Sequence, residues 1–152
     1  FGGVVGNEPV YRTEIKGVPL SFVSYNAFYG TTSDAVAEAV AIEKAKGRTV
    51  IVFAHWGEEY STSTELLRGR AEKFAASGAS LIVGAHPHVV LPSEIVDGVP
   101  VYYSLGNFMF DQYWNDSVTH GVALEVLIDR DGLSLREHYA DISRDGRTCV
   151  TQ

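Results

Sequence analysis

Thr49-Val50-Ile51-Val52-Phe53-Ala54-His55 and, further on, Ser80-Leu81-Ile82-Val83-Gly84-Ala85-His86-Pro87-His88 decide the fold of this chain. Each is a continuous apolar run that leads into a histidine. A run without polar alternation suits a strand covered on both faces, as in a parallel sheet. Between the two runs, Ser63 or Thr64 caps a predicted helix with Leu67, Ala71 and Phe74 on one face, and Gly78 ends it. Strand, helix and strand at this length form a βαβ unit, which makes the two strands parallel. His55 and His86 then fall at the same edge, the carboxyl ends of the strands, where open α/β sheets build their ligand sites.

Outward from this unit, Pro9 to Gly17 alternates as an early strand. Lys16-Gly17-Val18-Pro19 reads as a turn into a second strand at Leu20 to Tyr25, which predicts a hairpin. Ser33 is expected to cap a helix that runs to about Lys46, with Val36, Ala39 and Val40 inward and Gly47 as its stop. Downstream, Glu94-Ile95-Val96 and Val99 to Tyr103 flank Asp97-Gly98, a hairpin signal. Val118 to Asp129 and Leu133 to Tyr139 flank Arg130-Asp131-Gly132 and predict another. The expectation is one domain over residues 1–152, α/β in the middle and antiparallel late.

Composition narrows the function. Lys and Arg number 12 against 19 Asp and Glu, a formal charge of −7. Phosphate polymers are repelled by such a surface unless a basic patch intervenes. The densest basic stretches, Lys44 to Arg48 and Arg144 to Arg147, are interrupted, so no nucleic-acid partner is expected. A single Cys149 excludes an internal disulfide, and no apolar run reaches membrane-spanning length. The start, Phe1-Gly2-Gly3-Val4-Val5, reads as a cut, so membrane contact is expected only through an upstream segment.

The candidate metal ligands are His55, His86 and His88. Pro87 favours an extended form for His86, and side chains at i and i+2 of an extended segment share a side. Three of the five histidines thus meet at one predicted edge, from two separate loops. Neutral imidazole suits Zn, Mn and Fe. Glu59, in Trp56-Gly57-Glu58-Glu59-Tyr60, either orients a ligand, contacts substrate, or is a solvated loop acid. In Tyr103-Ser104-Leu105-Gly106-Asn107-Phe108-Met109-Phe110-Asp111-Gln112 the aromatics read as an apolar core wall, while Asn107 and Asp111 are candidates to face the site. Glu59 and Asn107 are the candidate catalytic residues. His120 and His138 read as structural or surface residues.

His55-Trp56-Gly57-x-Glu59, Gly84-Ala85-His86-Pro87-His88-Val89 and Tyr103-Ser104-Leu105-Gly106-Asn107-Phe108 resemble, in order and spacing, the later motifs of bacterial capsule-synthesis proteins of the CapA type. Those proteins are associated with poly-γ-glutamate capsule synthesis and resemble the calcineurin-like metallophosphoesterase superfamily. The resemblance runs from about Gly17 to Asp111. It implies an αββα sandwich with mixed sheets and a two-metal site between loops at one edge. His55 would match the isolated histidine ligand, and His86 and His88 the paired ones. The implied activity is phosphate-ester hydrolysis by a bridging water, with two divalent transition ions (Mn, Zn or Fe) clamping the transition state. The implied location is the bacterial cell envelope or its extracellular face.

Part of the pattern is not found. The Asp, Gly-Asp and Asn-His motifs that precede these in the superfamily have no counterpart, and Asn26 in Ser24-Tyr25-Asn26-Ala27-Phe28 is not one of them. The chain therefore reads as the C-terminal half to two-thirds of such a domain. Its expected partners are the N-terminal half and envelope polymer synthesis proteins. Without the bridging carboxylate, the chain alone is not expected to assemble a competent two-metal centre. Two alternatives stand beside this. One is a non-catalytic binding or scaffold component of an envelope polymer machine. The other is a small stand-alone hydrolase using the histidines with Glu59 or Asp111.

Overall fold

Two-residue turns set the hairpins at either edge of the main sheet. Lys16 and Gly17, at φ 51° and 80°, join β1 (Val10–Ile15) to β2 (Val18–Asn26). Positive φ at both central residues matches the twist of the paired strands. In the computed structural model, which describes residues 9–129 and 132–151, the chain then runs through α1 (Ser33–Ala45), β3 (Thr49–His55), α2 (Glu65–Ala76) and β4 (Leu81–Ala85). Asp97 and Gly98, at φ 49° and 81°, turn β5 (Ser93–Val96) into β6 (Val99–Tyr102). A 3-10 turn at Asp116–Val118 leads to β7 (His120–Ile128), β8 (Leu133–Ile142) and β9 (Thr148–Thr151). The opening Phe1 to Val5 and the Arg130-Asp131 pair lie outside the described residues.

The first six strands form one mixed sheet in the order β1-β2-β3-β4-β6-β5. Its four inner strands are parallel, and the hairpin strands β1 and β5 run antiparallel at the edges. The remaining strands form a second, antiparallel sheet, β7-β8-β9. Alternation along β3 shows how the layers stack. Val50, Val52 and Ala54 join the core beneath the helices with Val36, Val40, Leu67 and Phe74. Ile51 packs instead with Leu81 and Val83, against Leu124, Val126, Leu133 and Leu135. Both long helices pack on the six-stranded sheet, so the described residues form one helical layer over two sheets, an α/β sandwich. No helix among them is long and apolar enough to cross a membrane.

Several expectations change here. Thr32, not Ser33, caps α1, its hydroxyl accepting from the Ala35 N–H at 3.2 Å. Strand β9 and the 3-10 turn carry too little periodicity to read from sequence. Cover on both faces of β3 holds at Ile51 but fails at Phe53, which is 45% exposed. Phe53 borders an apolar cleft of about 420 Å³ between the sheets, lined also by Ile15, Leu20, Phe22, Phe108 and Leu124.

Glu43, near the end of α1, is fully buried. Arg12 donates to both of its oxygens at 3.0 Å, Ser21 donates at 2.8 Å and Lys46 at 2.8 Å. Burial alone would raise its pKa, but the hydrogen bonds from Arg12, Lys46 and Ser21 outweigh it and hold the carboxyl at about 2. The group ties β1, β2 and α1 together at the end of the sheet opposite the histidines.

Candidate metal centre

Strand register brings the loops together. Asn26 lies beside His55, and His55 beside Ala85, so β2, β3 and β4 end level and their loops start side by side. Backbone hydrogen bonds then join the loops: Ala27 N–H to the His55 carbonyl at 2.9 Å, Trp56 N–H to that of Ala85 at 3.1 Å, and Tyr60 N–H to that of Pro87 at 2.8 Å. Gly84 permits a further tie. The Trp56 indole donates to the Tyr103 carbonyl at 2.9 Å, and a Cβ on Gly84 would collide with both partners.

The His86-Pro87-His88 loop is not extended. His86 and His88 have φ of 106° and 62°, and Tyr60 has 63°. Non-glycine residues in this region carry backbone strain that surrounding structure must hold, and such strain clusters at functional sites. The two side chains therefore converge through a left-handed backbone, not through the i, i+2 geometry expected from sequence.

Glu59, His86 and His88 each offer a ligand atom within 4.8 Å of the others, and they are the group of three or more such residues found among the described residues. His55 stands outside that group but next to it, its ring centroid 4.7 Å from that of His86. The rings of His86 and His88 are 6.0 Å apart. The structure thus brings all three histidines together and adds Glu59 from the loop after β3. Partial burial of the His55 ring, then the neighbouring His86 and His88, push its pKa down, which favours the neutral form. Asp111 is exposed and not part of the group. Two imidazoles and one carboxylate are a donor set that suits a single transition ion with an open position.

Asn107 is buried and accepts at 2.8 Å from the His88 ring at Nδ1. Its amide nitrogen donates to the Val118 carbonyl at 2.9 Å and to Gln112 Oε1 at 3.3 Å, and Gln112 donates on to the Tyr60 hydroxyl at 2.9 Å. Sequence reading did not find Gln112 or Val118. Residue spacing does not show that Gln112, Val118 and His88, which are 5, 11 and 19 positions from Asn107, meet on one amide.

The aromatics around the site are not a core wall. Phe108, Met109 and Phe110 are 45%, 80% and 43% exposed, because no other element covers this loop among the described residues. Phe110 and Tyr60 lie against the His88 ring at 5.0 Å and 6.0 Å, and Phe28 against His86 at 4.5 Å. His120 and His138 lie elsewhere, paired with Asp141 at 2.7 Å and Glu125 at 3.0 Å.

Every one of the grouped residues falls within residues 7–112, which match the family described as bacterial capsule synthesis protein PGA_cap. The chain belongs to this family. It is similar to the PGA biosynthesis protein CapA of Bacillus subtilis (strain 168), 47% identical over 66 residues, which are 43% of this chain and 17% of that protein. It is also similar to the capsule biosynthesis protein CapA of Bacillus anthracis, 38% identical over 80 residues, 52% of this chain and 20% of that protein. The matched stretches thus span about a fifth of the curated relatives' length.

Proposed function

We propose that this chain is part of a metallophosphoesterase-like protein of capsule or cell-envelope polymer biosynthesis, with poly-γ-glutamate as the polymer. In this reading it works at the cell envelope or its outer face. Glu59, His86 and His88 hold one divalent transition ion (Zn, Mn or Fe), with His55 beside it. The observation that carries the reading is the convergence of these ligands on strained loops at the carboxyl edge of the sheet. When bound, such an ion supplies Lewis acidity and offsets charge on a phosphate ester. The loops Asn26 to Thr31, Trp56 to Thr64, His86 to Pro92 and Gly106 to Thr119 contain no Lys or Arg. An anionic group arriving there meets no fixed cation from these loops, so the ion would provide the attraction.

The apolar cleft between the sheets supports a partner within the same longer polypeptide, since the curated relatives extend far beyond the matched stretch. Other envelope polymer synthesis proteins are further partners in this reading. A second reading, a binding or scaffold component, is favoured by one observation: the described group provides one carboxylate and ligands for one ion, not two.

Calorimetric titration with Zn, Mn and Mg tests the site. The expected result is one Zn or Mn ion bound weakly and Mg more weakly still, because Mg demands oxygen ligands. His88→Ala should reduce affinity while His138→Ala leaves it unchanged. Wild-type protein that binds none of the three ions refutes the metal reading. A protein extended upstream that binds ions yet hydrolyses nothing across a panel of phosphate esters favours the scaffold.

A further inference from the structure

The side-chain amide of Asn107 has its orientation decided by one neighbour. The Val118 carbonyl, 2.9 Å away, can only accept a hydrogen bond, so the –NH₂ end of the amide must face it. The carbonyl oxygen of the amide therefore faces His88, 2.8 Å from Nδ1. An amide oxygen can only accept, so the proton of that hydrogen bond belongs to Nδ1 of His88. A neutral imidazole with its proton on Nδ1 keeps a lone pair on Nε2, and a ligand nitrogen needs that lone pair. The histidine side chain free in water prefers the opposite tautomer, with the proton on Nε2.

We infer that Asn107 is a positioning residue: it reads the Val118 carbonyl with one end of its amide and with the other locks His88 as the Nδ1–H tautomer, leaving Nε2 as the ligand atom. The backbone around Asn107 is held for this purpose from two sides. Its N–H donates to the His120 carbonyl at 3.2 Å, and its own carbonyl lies so close to Gly121 that a Cβ there would collide with it. Gln112 adds a weaker bond at 3.3 Å on the side of the amide already fixed by Val118. It is therefore not needed for the orientation. The role of His88 as a ligand rests on the metal reading above; the tautomer does not.

Long-range ¹H–¹⁵N correlation of the imidazoles decides the matter in metal-free protein, at a pH where His88 is neutral. His88→Gln assigns its signals. The expected wild-type result is a protonated, pyrrole-like Nδ1 and an unprotonated, pyridine-like Nε2. Asn107→Ala should return His88 toward the Nε2–H form and weaken Zn binding by about 10- to 100-fold, the usual cost of losing a partner that orients a metal-bound histidine. Gln112→Ala should leave the tautomer unchanged. A wild-type His88 carrying its proton on Nε2 overturns the inference, and so does a folded Asn107→Ala protein with an unaltered tautomer. Should Asn107→Ala not fold, the wild-type spectrum still decides. The expected tautomer in a protein that binds no Zn would refute the metal reading and leave this one standing.

Discussion

Glu43→Gln removes the charge from a carboxylate that is fully buried yet surrounded by Arg12, Lys46 and Arg48 at 3.0, 2.8 and 3.6 Å. Its pKa falls from the usual 4.5 to about 2, because the hydrogen bonds from Arg12, Lys46 and Ser21 more than offset burial. At 1.36 kcal/mol per pH unit, that depression corresponds to about 3 kcal/mol of folding stability at neutral pH. Breaking a buried ion pair by removing one partner costs a similar ~3–5 kcal/mol. For a chain of this size the loss lowers the melting temperature by roughly 6–12 °C. The sign of the pH dependence follows from the depressed folded value. The contribution is complete above about 4.5 and is lost as pH falls from there toward 2. Urea unfolding of both proteins between pH 7 and pH 2.5 measures it. The gap between wild type and variant should be about 3 kcal/mol at pH 7 and should narrow steadily below pH 4.5. A gap under about 1 kcal/mol at pH 7, or one that does not narrow on acidification, would show that the three cations do not hold this carboxylate as described.

Gly84→Ala should cost at least about 3 kcal/mol, read by denaturant melts, because the new methyl meets the Tyr103 backbone and the Trp56 indole, neither of which can yield without losing their bond. Gly98→Ala meets no neighbouring atom and pays only for its positive φ, so a loss equal to that of Gly84→Ala would contradict the close-approach argument. His120 should titrate above its ordinary value, raised by the hydrogen bond to Asp141 against the opposing effect of burial, with Asp116 adding to the rise. NMR titration of Asp141→Asn should bring it back down. Because the folded value is raised, this pair's contribution to stability is complete below about pH 6.5, the ordinary value, and is lost as pH climbs from there through the raised folded value.

What was legible in the sequence follows from which forces act locally. The apolar runs ending at His55 and His86 revealed the parallel pair, because strands buried on both faces show no alternation. Asp97-Gly98 revealed its hairpin, because the turn needs positive φ. Histidines at the ends of adjacent strands must lie near each other whatever else the chain does. Glu43 was not legible: an acid on a helix reads as solvent-facing, and its partners Arg12 and Ser21 come from different strands. The left-handed backbone at His86 was hidden too, since a residue before proline favours extended form and only tertiary constraint overrides it, and nothing in residue type signals the same backbone at His88. The aromatics from Phe108 to Phe110 looked like core because burial was inferred from residue type, where the decisive matter is which element covers the loop.

The cleft between the sheets and the histidine group lie on one continuous surface, and β3 shows why. Ile51, Phe53 and His55 are spaced by two, so all three project from the face of the strand turned toward the second sheet. Ile51 is covered by that sheet, Phe53 is half covered at the cleft, and His55 emerges at the site. On the other wall, Phe108 lines the cleft while Asn107, one residue earlier, holds His88. Two deficits therefore meet along one line. Among the described residues, the cleft has apolar side chains without cover, and the grouped ligands include one carboxylate to set against the two charges of a divalent ion. In the proposed reading, a segment of the longer polypeptide that seats apolar side chains in the cleft would leave it beside His55, where a carboxylate of that segment would reach the ion. Cover and charge would then come from one source. If one segment supplies both, Zn affinity and resistance to unfolding would rise together on extending the chain, and bound Zn would add its own stabilisation of the folded state. A polypeptide extended upstream that gained stability with no change in Zn affinity would separate the two, and the cleft would then be a packing surface unrelated to the site.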